Sequence, residues 1–285
     1  MEIIAEGLAF PEGPVVMADD SVIVVEIGAG RITRCWNGRT ETVCTPGGGP
    51  NGAAIGPDGA LYVCNNGGID QERGESASGP GSEGRIERID LATGKIERLY
   101  ENCDGIALNG PNDIVFDADG YMWFTDFGKF YDGMRTASGL FAAKADGSAI
   151  HAINRRAVSY NGVGLSPDGA TVYCADTLQA RLWRFDRRVE AQEPQWVATA
   201  PGPVWFDSLA VTEAGNVCVA TLYEGGITTV APDGRVSKRD FPDLFVTNIA
   251  FGGADMRDAY ITLSQSGRLI RTHWDEPGLR LHFNG

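Results

Sequence analysis

Six times along the chain, a polar residue introduces a short, alternating apolar run. The runs are FPEGPVV around Glu12, GPNGAAI around Asn51, GPNDIVF around Asn112, YNGVGL around Asn161, WFDSLAV around Asp207 and VTNIAF around Asn248. Successive polar residues stand 39 to 61 positions apart, in or near the period of propeller blades. A turn follows each run: ADD, PDG, ADG, PDG, EAG and the longer GGADMRD. Gly in such turns takes positive φ without steric cost. Second strands then read SVIVVE, ALYVCN, YMWFTD, TVYCAD, NVCVAT and AYITLS, short and rich in β-branched and aromatic residues.

A looser third strand follows in every unit, from GRITRCW to GRLIRTH, and then a mixed outer strand. The outer strands read ETVCT, KIERLY, AIHAIN, QWVATA, VSKRDF and LRLHF. Helical periodicity is nowhere sustained. Six four-stranded units predict an all-β fold, a six-bladed β-propeller with four-stranded antiparallel blades, as one domain over residues 1–285. The first strand, MEIIAE, is expected beside the terminal LRLHF, so that the two complete the last blade and remove the sheet edge.

In such a ring the first strands line the axis. Glu12, Asn51, Asn112, Asn161, Asp207 and Asn248 therefore converge at one end, two carboxylates among four carboxamides. Their oxygens suit a hard divalent cation. Any one Asn before a strand is explained by turn hydrogen bonds; six in register favour a site.

Composition narrows the chemistry. The chain has 285 residues and a net charge of −14, which argues against a nucleic-acid groove and mostly reflects a solvated acidic surface. No run of about 18 apolar residues predicts a membrane span, and no charged leader precedes an apolar segment. The six Cys are scattered without zinc spacing, which predicts a reduced, cytoplasmic protein. The three His, His151, His273 and His282, fall in third or outer strands, away from the axis. A Ser-His-Asp triad or a His-ligated zinc is not expected.

These residues resemble the senescence-marker-protein, gluconolactonase and luciferin-regenerating-enzyme-like family, over residues 6–274. The matching motifs are Glu12-Gly13-Pro14, Asn112-Asp113, Asn161-Gly162 and Asp207 at the start of the fifth inner strand. The resemblance implies a six-bladed propeller with one divalent metal in its tunnel. It implies ligation by Glu12, Asn161 and Asp207, with Asn112 as a fourth ligand or a substrate contact. Ca²⁺ is the first choice, with Mg²⁺, Mn²⁺, Zn²⁺ or Fe as alternatives. Sugar-acid lactonases of the family often carry an Arg two residues before the middle Asn; here that position is Gly110.

The leading expectation is a metal-dependent lactonase acting on a small lactone, with the metal polarising the carbonyl and Asp207 as general base. Asn51, Asn65, Asn112, Asp126, Trp205 and Tyr223 are expected to face substrate. The insertion at 65–84 reads equally as a lid or a surface loop. Three alternatives stay open: hydrolysis of another ester or a phosphotriester, a scaffold without activity, and a metal-free propeller resembling strictosidine synthase. The oligomeric state is open.

Overall fold

The computed structural model describes residues 1–70 and 72–284. Among them are six four-stranded antiparallel sheets, one 3-10 turn at Ile27–Ala29 and no α-helix. The sheets are the six blades of a propeller. Their inner strands are Pro11–Val16, Pro50–Ile55, Pro111–Phe116, Tyr160–Leu165, Trp205–Val211 and Val246–Gly252. In blades one to five the chain then runs outward through the second, third and outer strands.

The amphipathic pattern decides this layering. Second strands are buried on both faces, as in Leu61–Asn65 and Val217–Leu222. Outer strands are solvated, Val236–Asp240 along its whole length. The apolar core divides into six clusters, one in each gap between neighbouring blades. Each blade is thus stabilised by two neighbours, and an open ring would leave two apolar faces wet.

Hairpins between inner and second strands follow the turn residues. Gly120 and Gly169 adopt φ of 79° and 66°, which only Gly takes without strain. Each closes its turn by donating to a carbonyl three residues back, Asp117 O at 3.0 Å and Ser166 O at 2.8 Å.

Ring closure departs from expectation. Glu2–Glu6 pairs with Arg268–His273 and is the outer strand of blade six. The LRLHF segment is not a strand. After Pro277-Gly278 the chain crosses the end of the ring opposite the inner-strand starts. Leu279 N donates to Val211 O in blade five at 2.8 Å, while the Phe283 ring meets Phe116 in blade three at 6.0 Å. Its alternation serves packing against the ring's end, not a ladder. His282 lies in this segment and, like His151 and His273, is exposed. Among the described residues no helix is long and apolar enough to cross a membrane.

Candidate active site

Every inner strand starts opposite the end of its second strand: Pro11 against Glu26, Pro50 against Asn65, Pro111 against Asp126, Tyr160 against Asp176, Trp205 against Leu222, and Val246 against Leu263. The starts and the second-to-third loops therefore share one end of the ring, the mouth.

At this end each inner strand carries a bulge. The register slips between 12 and 15, 50 and 53, 111 and 114, 160 and 163, 206 and 209, and 246 and 248. A bulge leaves residues unpaired and re-aims their side chains. Five of the polar residues read from the sequence, Glu12, Asn51, Asn112, Asn161 and Asp207, stand at its mouthward edge, Glu12 as the last paired residue and the others as the first unpaired one. The sixth does not. Ile27 N, Asn66 N, Phe127 N and Thr177 N donate to the carbonyl two residues ahead of the ring position, that of Phe10, Gly49, Gly110 and Ser159; Ser264 N donates to Phe245 O, so Thr247 holds that place in blade six and Asn248 is one residue further on. Asn248 takes the place of Asp113 instead, one past the ring position; each accepts the next amide on its own side chain, Ile249 N at 2.8 Å and Ile114 N at 2.9 Å, as Glu12 accepts Gly13 N.

The residue after the ring position sets how closely neighbouring blades approach. A Cβ on Gly13 would meet Asn51 O at 2.4 Å, one on Gly52 would meet Asn112 O at 2.5 Å, and one on Gly162 would meet Asp207 O at 2.7 Å. At two of the positions without Gly, side chains bridge the gap. Asp113 accepts Val163 N at 3.2 Å, and Asn248 donates to Glu12 at 2.7 Å.

Three buried oxygens at ring positions, Glu12 Oε1, Asn112 Oδ1 and Asn161 Oδ1, have no hydrogen-bond partner among the described residues. They come from three different blades. An unpaired buried oxygen is costly, so three together mark a place for something that supplies positive charge or protons. Two of the three groups are held by their other atom: Glu12 Oε2 accepts Gly13 N at 2.6 Å, and Asn161 Nδ2 donates to Thr177 at 3.2 Å.

The carboxyls feel each other. Burial pushes Glu12 up to about 7, against hydrogen bonds from Asn248 and Gly13. Burial and the Glu12 charge push Asp113 up to about 7. Asp207 is partly open to solvent, yet crowding by protein and the charge of Glu12 hold its carboxyl well above the usual range. Asp113 was absent from the expected site. Its signal was the Asn112-Asp113 dipeptide, where the other bulges carry Gly or a neutral polar residue.

The donor set fits a hard cation: carboxylate and carboxamide oxygens, several of them unpaired. Among the described residues no three His, Cys, Asp or Glu side chains gather closely enough to hold an ion. An ion here would need carboxamide oxygens beside the carboxylates.

Two expected substrate contacts serve the scaffold instead. Asn65 is fully buried; it accepts Gly49 N and Gly67 N at 3.0 Å and donates to Gly47 O and Glu87 at 2.9 Å. Asp126 accepts Asn109 N, Gly110 N and Gly128 N at 2.7–2.8 Å. Both tie the loop that leads into their own inner strand. Asn51 stays in the ring, buried. Trp205 and Tyr223 are exposed at the mouth, their rings 4.9 Å apart and edge-to-face.

The 65–84 insertion forms a small hairpin, Ile69–Asp70 with Glu75–Ser76, with Gln71 outside the described residues. It docks on a second hairpin, Phe130–Tyr131 with Met134–Arg135, through Phe130 N to Ser76 Oγ at 3.0 Å and Tyr131 OH to Ala77 O at 3.1 Å. Together they build up the rim over blades two and three. Below the ring, a cavity of about 330 Å³ runs between Asp113, Asn248 and the crossing segment at Leu279 and Arg280. Val15, Ile114 and Leu209 give it apolar walls.

The SMP-30/Gluconolactonase/LRE-like region matches residues 10–265. The chain belongs to this family. Among relatives of this SMP-30/gluconolactonase-like protein, a gluconolactonase of Zymomonas mobilis is 24% identical over 275 residues, covering 82% of this chain and 70% of the relative. A 6-deoxy-6-sulfogluconolactonase of Pseudomonas putida is 30% identical over 191 residues, 64% of this chain and 63% of the relative. The fold matches a calcium-binding protein, regucalcin, of Agrobacterium tumefaciens at 18% identity. The TM-score is 0.74, over 99% of this chain and 100% of that one.

Proposed function

We propose that residues 1–285 act as one propeller domain that hydrolyses a small lactone, with a divalent cation held by Glu12, Asn112, Asn161 and Asp207. The observation that carries this reading is the set of three buried, unpartnered oxygens, Glu12 Oε1, Asn112 Oδ1 and Asn161 Oδ1, at the mouth ends of three inner strands. The gluconolactonase relatives support the bond type. The all-oxygen donor set, and the fold's occurrence in a calcium-binding protein, support Ca²⁺ before softer metals.

When bound, the cation supplies Lewis-acid stabilisation of the charge that develops on a lactone carbonyl oxygen. The chain supplies the rest. Glu12 is held in one rotamer by Gly13 N and Asn248 Nδ2, so its free oxygen is placed in advance. Asn112 and Asn161 present neutral oxygens and leave net charge for a polar substrate. Asp207, half-open to the mouth, takes the proton of the water that adds to the carbonyl carbon. The ring C–O bond then breaks, the proton passes to the departing alkoxide, and a hydroxy acid leaves. Six free cysteines, five of them buried, support a reducing, cytoplasmic setting.

Metal analysis of the purified protein, followed by lactone hydrolysis before and after chelation, tests the reading. The expected result is about one divalent ion per chain and activity lost on chelation and restored by Ca²⁺. A metal-free protein with undiminished lactonase activity would overturn it.

A further inference from the structure

The mouth is built in two unlike halves. Two residues ahead of the ring position, blades five, six and one carry Trp205, Phe245 and Phe10. At the same offset, blades two, three and four carry Gly49, Gly110 and Ser159.

The small half has no room for larger side chains. A Cβ on Gly49 would meet Asn66 Oδ1 at 2.2 Å, and one on Gly110 would meet Gly128 O at 2.4 Å. Ser159 is fully buried and donates to Asp176 at 2.7 Å. Loop backbone fills the space that aromatic rings take on the other side.

The aromatic half is continuous. Tyr223 joins it, giving a chain of rings Trp205–Tyr223–Phe245–Phe10 with centroids 4.9, 5.6 and 6.2 Å apart. Trp205 and Tyr223 are 38% and 45% exposed, so the arc has a solvent-facing surface. Tyr223 and Phe10 stand at φ of 69° and 56°. Bulky residues avoid this region, and where they adopt it the strain clusters at functional sites. Trp205, paired with Leu222 at the mouth end of blade five, stands two residues ahead of Asp207. The arc therefore lies on the mouth side of the proposed proton acceptor.

We infer that this arc is a subsite for an apolar substituent, and that the substrate is a lactone carrying an alkyl or aryl group rather than a fully hydroxylated sugar lactone. This rests on the lactonase reading above and names its substrate class. Exposed aromatic surface gains most from covering apolar area. With the substituent on the arc, the lactone carbonyl reaches down towards Asp207 and Glu12.

The test compares γ-nonalactone, γ-butyrolactone and glucono-1,5-lactone as substrates of the calcium-loaded protein. It uses wild type, Trp205→Ala, Tyr223→Ala, and Trp196→Ala, which alters an exposed outer-strand Trp away from the mouth. Wild type is expected to prefer γ-nonalactone over both others by at least tenfold in kcat/KM. Trp205→Ala and Tyr223→Ala should each collapse that ratio, mainly through a higher KM for γ-nonalactone, and Trp196→Ala should leave it unchanged. A preference for glucono-1,5-lactone, or a ratio indifferent to Trp205 and Tyr223, would overturn the inference. Calorimetric titration with the lactam 5-pentylpyrrolidin-2-one separates the two readings. If no lactone is hydrolysed but the lactam binds and Trp205→Ala weakens it at least tenfold, the arc stands and the lactonase reading falls. If the lactam does not bind, the arc falls.

Discussion

Asn248 Nδ2 donates to Glu12 Oε2 at 2.7 Å across the seam where blade six meets blade one. The two residues are 236 positions apart in the chain, and only ring closure brings them together. The bond holds the carboxylate so that Oε1 stays free. It also favours the ionised form, opposing the burial that raises the Glu12 pKa. Asn248→Leu should therefore weaken Ca²⁺ binding by about 10- to 100-fold, the usual effect of losing a group that orients a ligand. Calorimetric titration with Ca²⁺ measures it. Unchanged affinity would show that Glu12 is oriented without this bond.

The pH dependence follows from the same crowding. Glu12 and Asp113 are both pushed up to about 7, by burial first and, for Asp113, by the Glu12 charge next. In the unfolded chain they titrate near ordinary carboxylate values, so between about pH 4 and 7 the folded state binds more protons. Stability of the cation-free protein should fall as pH rises through that window. Glu12→Gln should flatten the slope. Added Ca²⁺ should raise Tm more at about pH 8 than at about pH 5.5, because protons compete for the same oxygens. Thermal melts with and without Ca²⁺ at both pH values check this. A larger Ca²⁺ effect at the lower pH would contradict it.

The blades were legible because their signals are local. Alternation in YMWFTD and TVYCAD, and Asp-Gly turns at 58–59 and 168–169, each depend on a few neighbouring residues. What failed depends on partners far along the chain. Thr247 and Asn248 are both polar, so residue type alone put the wrong one in the ring; the loop bond from Ser264 N to Phe245 O decides it. LRLHF alternates like a strand, but Glu2–Glu6 already pairs with the edge it would need. Asn65 and Asp126 end their strands at the mouth as expected. Only the folded loops reveal that their polar atoms are already engaged. Asp113 was visible as a residue and hidden as a site member, since its environment is made by Glu12, Ile114 and Val163 from three blades.

Gly52 and Gly59 separate two reasons for glycine within one blade. A Cβ at Gly52 would meet Asn112 O and Asp113 Cα at 2.5 Å, with no positive φ involved. At Gly59 φ is 76° and nothing lies within 4 Å. Gly59→Ala should cost about 1 kcal/mol, a backbone penalty alone. Gly52→Ala should cost about 3 kcal/mol, because backbone of blade three must give way, and should weaken Ca²⁺ binding by displacing Asn112. Denaturant unfolding and Ca²⁺ titration of both variants measure the contrast. Equal costs would mean that the inner strands yield more easily than their contacts imply.

Asp207 combines ligand and proton acceptor, and Asp207→Asn separates the two. The carboxamide keeps an oxygen donor of the same reach, so Ca²⁺ should still bind, more weakly. It also relieves the repulsion with Glu12 that helps raise the Asp207 pKa, so the cation-free variant should be more stable than wild type above about pH 7. Turnover should fall by at least about 100-fold even at saturating Ca²⁺, the scale of losing a positioned base. The decisive quantity is kcat measured with the cation shown to be bound. If kcat stays within tenfold of wild type, the proton goes elsewhere. The next candidate is then Asp113, a buried carboxyl whose charge Asp207 feels and which borders the chamber below the ring, and Asp113→Asn becomes the variant that should lose turnover.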